Sequence, residues 1–398
     1  MKHHVYLAPG MFGFGRLAAY DYFAHVERAL GARFQAAGDT LEAHVVDVLP
    51  TASMRRRAAR LAELVHETSG DEGAIHLLGH STGGIDARLV ASPAAELPVS
   101  AEAMRWLPRL RSVTMMNTPH YGTPLASFFA TSKGQRVLYA LSAFTFIGLS
   151  IGARPLAAAG LLIALVRRSD RVIGIELRVM DRSVDSLLRL LDDARSPEVR
   201  AYLEAIKDDQ GAMLQLSPES MDLMVAGFGD RPGVAYQSIA SMAPTPSPRS
   251  WIRALGHPGQ TISLTLFTAL HAITARCGKG YPCAGVRIAA PPDEAAWAGD
   301  TSEALLARTF GAVPELSAND GVVPLRSQLW GKLVWAGLGD HLDVLGHFLD
   351  DRVDEPVESR HNDWLTSGSA FRRPHFEALM DAIAGGMLQP VTVRSPPP

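Results

Sequence analysis

The sequence predicts an α/β fold with a mostly parallel central sheet flanked by helices. Four short apolar runs occur early in the chain: HVYLAPG, AHVVDVLP, AIHLLGHS and RSVTMMNTP. Helical stretches lie between them, and GVAYQSIAS resumes the strand pattern at residues 233–241. Such alternation indicates βαβ units, whose ligands bind beyond the carboxyl ends of the strands.

The helices of this fold are predicted from hydrophobic periodicity. DYFAHVERALGARFQAAG and RRRAARLAELVHETSG separate the first three strands, and TISLTLFTALHAITARC and RRPHFEALMDAIAGGML follow later in the chain. In the second of these helices Met54, Ala58, Leu61 and Val65 share an apolar face. We therefore expect Arg55 to Arg57 to form a solvated face.

Composition narrows the classes of function. The chain has 398 residues, of which 47% are hydrophobic, so it can form a sizeable core. Its net charge of -3 provides no basic field for nucleic acid, and we expect small or apolar partners. Cys277 and Cys283 form either a local bridge or two free thiols. The first residues show no secretory signal, which predicts a cytoplasmic protein and leaves a secreted mature form open.

An apolar insertion interrupts the α/β pattern after about residue 125. Val137 to Val166 contains one charged residue, Arg154, which is followed by Pro155. A membrane span needs about 20 uninterrupted apolar residues. Because the Arg-Pro pair divides the run, we predict a hydrophobic helical cap or lid at residues 125–210 over a core of residues 1–124 and 211–398, with a transmembrane span as the alternative.

The stretch IHLLGHSTGGIDARLV indicates a nucleophile. Its apolar start is typical of a buried strand and its end of a helix, and Ser81 stands between them with Gly79 and Gly83 two residues to either side. This is the strand, turn and helix context of a nucleophile elbow, in which a strained serine exposes its hydroxyl. A serine in a plain glycine-rich turn is the alternative.

A serine nucleophile needs a histidine as base and a carboxylate that orients the histidine. Asp320, in the turn SANDGVVP, is the preferred acid, because an Asn-Asp-Gly turn can hold a carboxylate clear of the sheet. His341, after a glycine-rich loop, is the preferred base. The competing candidates are the acids Asp300, Asp340 and Asp343 and the histidines His120, His347 and His361.

Acyl transfer also requires donors to the oxyanion, commonly two backbone N–H groups. One donor would be the residue after the nucleophile, Thr82, at the positive end of the following helix. Met11, after Pro9 and Gly10 in YLAPGMFGFG, is the candidate for the second.

Five motifs together resemble the bacterial triacylglycerol lipases of the Pseudomonas and Burkholderia type: LAPGMFGFG, GHSTGGIDAR, NTPHYGTPLA, SANDGVVP and DHLDVL. The resemblance implies an α/β-hydrolase fold, a triad of Ser81, Asp320 and His341, and Met11 and Thr82 as oxyanion donors. It also implies a structural calcium ion at Asp300 and Asp343, although His347 stands where the family has an amide ligand. Ala8-Pro9-Gly10 replaces the family's usual His-Gly pair, and the family's disulfide cysteine after the Asp motif is absent.

The sequence therefore predicts a serine carboxylic-ester hydrolase acting on apolar acyl esters such as acylglycerols. The apolar insertion predicts a preference for medium or long acyl chains and transient contact with a lipid interface. No cofactor is expected for catalysis, and the calcium ion that the resemblance implies would be structural. The alternatives are an acyltransferase or polyester depolymerase on the same triad, a non-catalytic lipid- or partner-binding protein, and a membrane-anchored protein.

Overall fold

Six parallel strands form the central sheet of the computed structural model. The structure describes residues 1–11, 16–17, 20–49, 51–131, 134, 209, 211–254, 258–277, 295–350, 361, 363 and 365–389. The strands are Lys2–Ala8 (β1), Arg16–Leu17 (β2), Tyr20–Asp21 (β3), Thr40–Val45 (β4), Ala74–His80 (β5), Leu110–Met116 (β6), Ala235–Met242 (β7) and Lys332–Leu338 (β8). The sheet has the order β4-β1-β5-β6-β7-β8, while β2 and β3 form a separate antiparallel pair.

Ten α-helices lie in the described ranges. They are Ala24–Ala36 (α1), Met54–Thr68 (α2), Thr82–Ala91 (α3), Pro124–Phe129 (α4), Gly211–Gln215 (α5), Pro218–Gly227 (α6), Pro248–Ala254 (α7), Pro258–Thr274 (α8), Ala295–Phe310 (α9) and Arg373–Leu388 (α10). Helices α1 and α10 pack on one face of the sheet, and α2 and α3 pack on the other. This arrangement confirms the predicted α/β-hydrolase class of fold.

The first strand shows why the sheet is buried on both faces. Tyr6 and Ala8 belong to the apolar core under α2 and α3. Val5 and Leu7, which alternate with them, belong to the core under α1 and α10. Because side chains of a strand point to alternate faces, a strand covered on both sides is apolar at nearly every position. The continuous apolar run in the sequence is therefore the signature of a central parallel strand.

The described core is continuous on both sides of the predicted cap. Strands β6 and β7 pair directly, with Val113 opposite Tyr236, so the chain leaves the sheet after β6 and returns beside it. The Thr123 N–H, just before α4, donates to the Leu216 carbonyl, just after α5, at 3.0 Å. Residues 135–208, most of the predicted cap, lie outside the described residues, so the cap stays a prediction.

Two other expectations meet the structure here. Arg57 is buried, contrary to the predicted solvated face, whereas Arg55 and Arg56 are exposed. In α2, Arg57 lies on the same face as Met54 and Leu61, three and four residues away. Its guanidinium forms an ion pair with the buried carboxylate of Asp86. Cys277 is a free thiol that donates to the Thr274 carbonyl at 3.2 Å, which favours the free-thiol alternative over the local bridge, and Cys283 lies outside the described residues. No helix in the described ranges is long and apolar enough to cross a membrane.

Candidate active site

Ser81 occupies a strained turn between a central strand and a helix. Strand β5 ends at His80, α3 begins at Thr82, and Ser81 between them has φ 55° and ψ −126°. A non-glycine residue at positive φ costs about 1–3 kcal/mol, and such strain persists where the surrounding structure enforces it. The turn points the serine out of the carboxyl end of the sheet, where the fold binds ligands.

The glycines around Ser81 are required by close packing. A Cβ added at Gly79 would overlap the backbone of Gly83, and one added at Gly83 would overlap the carbonyl of Ala8 in β1. A Cβ at Gly84 would overlap the side chain of Thr118, after β6. The strand, the helix and the two neighbouring strand ends therefore approach each other too closely for any side chain.

The loop after β1 lies directly beside the serine. A Cβ added at Gly10 would be 2.8 Å from the Ser81 Cβ, so only glycine fits this approach. Met11 follows in the same loop, and its side chain is buried in the core under α2 and α3. Thr82, the first residue of α3, has a backbone N–H with no carbonyl partner within its helix. The structure thus places the two predicted oxyanion residues in the two segments that meet at Ser81.

A buried ion pair that the sequence did not predict holds the Gly10 loop. Arg57 Nε and Nη2 lie 2.9 Å and 2.8 Å from Asp86 Oδ2, and both side chains are almost fully buried. Arg57 Nη2 also donates to the Pro9 carbonyl at 2.5 Å. Burial raises the pKa of Asp86 to about 6, against the opposing effect of the Arg57 charge. The guanidinium therefore connects α2, α3 and the loop that carries Met11.

His341 and Asp320 meet beyond the carboxyl ends of the strands, on the same side of the sheet as Ser81. The His341 Nδ1 and Asp320 Oδ2 atoms are 2.7 Å apart, and the His341 backbone N–H donates to the Asp320 carbonyl at 3.0 Å. Asp320 Oδ1 accepts from the Val322 and Val323 N–H groups at 2.8 Å and 2.7 Å. A fully buried carboxylate with these donors is held in one orientation. Because the carboxylate only accepts, Nδ1 of His341 carries the hydrogen and Nε2 is left as the acceptor.

Asn117 completes the surroundings of Asp320. This residue follows β6, has φ 48°, and donates from Nδ2 to Asp320 Oδ2 at 2.9 Å and to Ser241 Oγ at 2.7 Å. Gln328 fixes the same turn, since its Nε2 donates to the carbonyls of Ser241 and Val323 at 3.0 Å and 3.1 Å. The position of Asn117 at a strand end was visible in the sequence, but its partner was not.

A buried hydrogen-bond chain connects the three loops of the site. His80 Nε2 lies 2.8 Å from the His341 carbonyl, which only accepts, so Nε2 carries the hydrogen. Burial holds the pKa of His80 well below its usual value, so the ring is neutral and Nδ1 accepts from the Tyr22 hydroxyl at 2.6 Å. The Tyr22 oxygen in turn accepts from the Gly10 N–H. The residue beside the serine thus positions the backbone of His341.

The competing histidines have other surroundings. His120 Nδ1 lies 3.0 Å from Arg88 Nη1, whose guanidinium stacks on Trp330. His361 Nδ1 donates to the Gly346 carbonyl at 2.7 Å, and its ring stacks on Phe348. The His347 ring packs edge-on against that of His25. Of these four histidines, the structure brings His341 to Asp320.

A group of buried carboxyls follows His341. Asp343 Oδ2 accepts from the Asp340 N–H at 2.8 Å and from the Ser369 hydroxyl at 2.6 Å. Asp340 Oδ1 accepts from the Leu342 N–H at 2.9 Å, while its Oδ2 is buried and has no hydrogen-bond partner among the described residues. Burial, followed by the charge of Asp363, raises the pKa of Asp340 to about 7. Burial, followed by Asp340 and Asp363, raises that of Asp343.

This cluster of buried carboxyls suits the calcium ion that the family resemblance implies. A bound cation would compensate the closely spaced negative charges and satisfy the orphaned Asp340 oxygen, and calcium prefers oxygen ligands. Asp343 was predicted as a ligand, whereas Asp340 was considered only as a competing acid. Asp300, the other predicted ligand, lies in α9, and its side chain is outside what the structure describes.

The parallel sheet, the strained serine and the His341–Asp320 pair define a protein of the α/β-hydrolase fold. Two curated sequences are similar to it, and both are named triacylglycerol lipase. The Pseudomonas fragi protein is 28% identical over 149 residues, and the Vibrio cholerae protein is 32% identical over 105 residues. The matched stretches cover 35% and 26% of this chain and 44% and 32% of the two lipases. They confirm the resemblance that the motifs indicate, while no protein-family profile matches.

Solved structures show likeness over nearly the whole chain at low identity. Lipase 1 from Pelosinus fermentans has a TM-score of 0.48 at 16% identity, covering 96% of this chain and 98% of that one. EstA from Clostridium botulinum has a TM-score of 0.46 at 17% identity, covering 94% and 87%. The lipase from Staphylococcus hyicus has a TM-score of 0.44 at 16% identity, covering 97% and 96%.

Proposed function

We propose that this chain is a serine carboxylic-ester hydrolase with Ser81 as nucleophile, His341 as base and Asp320 as the acid that orients it. The observation that carries the proposal is that a strained Ser81 and a hydrogen-bonded His341–Asp320 pair lie together beyond the carboxyl ends of the strands. A serine in a plain turn requires neither the positive φ nor the packed glycines. The names of the two sequence relatives support the same reaction class.

The reaction follows from the proton positions. Ser81 Oγ attacks the ester carbonyl carbon while its proton passes to Nε2 of His341, and the carbonyl oxygen becomes negative. When the tetrahedral intermediate collapses, the carbon–oxygen bond to the alcohol breaks and His341 returns the proton to that oxygen. Water then attacks the acyl-serine, again giving its proton to His341, and the acid leaves as Ser81 recovers its hydrogen. Asp320 stays ionised and stabilises the imidazolium throughout.

The developing oxyanion would be stabilised by backbone donors. The N–H of Thr82 lies at the start of α3, where the helix dipole is positive. The N–H of Met11 would be the second donor, on the loop held by Gly10 and Arg57. Each such donor contributes about 2.7–4 kcal/mol to the barrier reduction.

We propose apolar acyl esters, such as acylglycerols, as the substrate class. Val137 to Val166 carries one charge, so this part of the predicted cap can cover apolar acyl chains. Each buried methylene contributes about 0.8 kcal/mol, so a pocket that takes four more methylenes would favour the longer ester by roughly two orders of magnitude. Transient contact with a lipid interface is part of this proposal.

The test is a chain-length series of p-nitrophenyl esters, from acetate to palmitate. Wild type, Ser81→Ala and the control Ser100→Ala, an exposed serine, are compared. We expect Ser81→Ala to lose kcat on the order of 10⁶-fold and Ser100→Ala to keep it. A fluorophosphonate reagent should label Ser81 in the wild type.

Two results would contradict parts of this proposal. Turnover by Ser81→Ala within tenfold of wild type would refute the mechanism. A rate maximum at acetate would refute the preference for long acyl chains and leave an esterase.

We also propose a structural calcium ion at the carboxyls that follow His341. Asp343 and Asp340 would hold it, with Asp300 as the further ligand that the resemblance implies, and its charge would keep the His341 loop in place. Calcium should raise the melting temperature of wild type over that in EGTA, but not that of Asp343→Asn. Comparing Asp340→Asn with Asp300→Asn identifies the second ligand. An equal calcium effect in wild type and Asp343→Asn would contradict the site.

A further inference from the structure

A second cluster of metal-binding residue types lies on the edge of the sheet, on strands β1 and β4. His4 in β1 is the direct neighbour of Glu42 in β4, and His44 lies two residues beyond Glu42. Because side chains two residues apart on a strand share a face, the three side chains project to the same side. One ligand atom from each lies within 4.8 Å of the other two. The cluster is built on two paired strands of the core rather than on a loop.

The hydrogen bonds of His4 leave an unpaired acceptor against a carboxylate. His4 Nε2 lies 3.2 Å from the Glu72 carbonyl, which only accepts, so Nε2 carries the hydrogen. Nδ1 of the neutral ring is then a bare lone pair, and it faces Glu42 Oε2 at 3.3 Å. Nδ1 is buried and has no hydrogen-bond partner among the described residues. Two acceptors at this distance repel each other unless a cation lies between them.

Protonation is one way to supply that cation, but burial opposes it. The His4 side chain is fully buried, so a protonated ring would lose its hydration, whereas a neutral ring presents Nδ1 as an unused ligand atom. Neutral imidazole is the form that binds metal ions.

His44 supplies a second unused nitrogen. Its Nε2 is buried and has no hydrogen-bond partner in the described part of the chain, and its ring stacks on Tyr6, which fixes its plane. Glu42 is half exposed, so an ion can reach the cluster from solvent. Lys2 Nζ lies 3.0 Å from Glu42 Oε1, which orients the carboxylate and leaves Oε2 toward His4.

We propose that His4, Glu42 and His44 form a structural zinc site that ties the edge strand β4 to β1. Zinc bonds of about 2.0–2.1 Å to nitrogen and 2.0–2.2 Å to oxygen place tetrahedral ligand atoms about 3.4 Å apart. The 3.3 Å between His4 Nδ1 and Glu42 Oε2 matches that edge. Two imidazoles and a carboxylate suit zinc better than calcium or magnesium, and water from the exposed side would complete the tetrahedron.

The site lies away from the proposed chemistry. Parallel strands present their carboxyl ends to Ser81 and His341, whereas His4 is the third residue of β1, at the opposite end. Strand β4 is one of the two edge strands of the described sheet, so a metal clamp would hold a strand that is open to fraying. The proposal therefore concerns stability and is independent of esterase activity.

Zinc binding to the EDTA-treated full chain tests the site, by calorimetry with saturating calcium present to occupy the aspartate cluster. Wild type, Glu42→Gln and His44→Gln are compared with the control His66→Gln/Glu67→Gln, which removes the same residue types from the exposed face of α2. We expect one high-affinity zinc ion in wild type and in the control. Each ligand substitution should weaken it at least about tenfold, since even outer partners of a metal site contribute that much.

A second measurement separates a lost site from a lost fold. Melting temperatures in EDTA should agree for wild type, Glu42→Gln and His44→Gln, and zinc should raise that of wild type and the control only. Cobalt substituted for zinc should give the absorption of a tetrahedral nitrogen and oxygen site. Zinc affinity in Glu42→Gln and His44→Gln equal to that of wild type would overturn the proposal. So would a His4 pKa, measured by NMR, above that of an ordinary histidine, because a protonated ring paired with Glu42 needs no metal.

Discussion

Asp320→Asn should disable the proposed enzyme by reversing the polarity of one hydrogen bond. Asp320 Oδ1 accepts from two fixed backbone groups, the N–H of Val322 and of Val323. An asparagine keeps both bonds only if its oxygen takes that position and its NH₂ takes the place of Oδ2. The NH₂ then faces Nδ1 of His341, so Nδ1 becomes the acceptor and Nε2 carries the hydrogen. In that tautomer His341 cannot take the proton of Ser81.

The size of the effect follows from the wrong tautomer and from one new repulsion. Loss of the correct tautomer in a Ser-His-Asp site lowers kcat about 10⁴-fold, which corresponds to about 5.5 kcal/mol. In the wild type, Asn117 Nδ2 donates to Asp320 Oδ2 at 2.9 Å. In the variant the new NH₂ stands at that position, so two donors face each other. A buried donor left without a partner costs about 1–3 kcal/mol of stability. KM should change little, because Asp320 is fully buried behind His341.

The assay compares kcat and KM of wild type, Asp320→Asn and the exposed control Asp222→Asn on one p-nitrophenyl ester. Urea unfolding of the same samples shows whether the variants are folded at the assay temperature. A folded Asp320→Asn protein with kcat within tenfold of wild type would refute the assignment of Asp320. A loss of activity that parallels unfolding would show that the residue is structural.

Three further predictions concern groups around the site. Arg57→Met leaves Asp86 as an unpaired buried charge and should lower the free energy of unfolding by about 3–5 kcal/mol. The double variant Arg57→Met/Asp86→Leu should regain the melting temperature of the wild type. If the double variant also regained the wild-type kcat, this would contradict a role for Arg57 in holding the Pro9 loop. Tyr22→Phe leaves His80 Nδ1 buried without its donor, so urea unfolding should show a free energy of unfolding that is lower by about 1–3 kcal/mol. The exposed control Asp222→Asn should leave the free energy of unfolding unchanged. Burial lowers the pKa of His25, His76 and His347 to about 3, and that of His80 and His120 well below the usual value. For each of these rings the unfolded chain binds more protons below about pH 6.5, which lowers the free energy of unfolding with acidity by up to about 1.4 kcal/mol per pH unit, whereas the raised pKa values of Asp86 and Asp340 act in the opposite direction. An NMR titration in which these rings gain their protons near pH 6.5 in the folded protein would contradict this.

Local pattern was sufficient for the strands and for the turn at Ser81. Each depends on neighbours in sequence: apolar runs for buried strands, and Gly79 and Gly83 for the close approach of strand and helix. The limits of β4 were less well predicted, because AHVVDVLP starts later than the strand itself. The pairing of Lys2 with Thr40 extends β4 toward its beginning, and no local signal reports that pairing.

Apart from the predicted pair of Asp320 and His341, the polar partners were the part that the sequence could not predict. Arg57 was expected to face solvent. Its burial depends on the ion pair with Asp86 in the neighbouring helix, and the pattern of α2 alone does not show that partner. Asn117 and Asp320 are 203 residues apart, and their contact follows from the order of the strands. Hydrophobic periodicity determines which face of an element is buried, but the register of the whole sheet determines which polar groups meet there.

The hydrogen bond between Thr123 and Leu216 brings together the two ends of the segment predicted to form the cap. The chain leaves the core and returns to it at almost the same point, and β6 and β7 pair directly beside that point. Insertions with adjacent ends can be replaced with little effect on the surrounding fold. The segment between these two contacts, which includes most of the predicted cap, could therefore be exchanged as a cassette. Under the proposed function, the exchange would change which acyl chains are accepted while Ser81, Asp320 and His341 keep their positions. Selectivity and catalytic power would then be open to separate rounds of laboratory evolution.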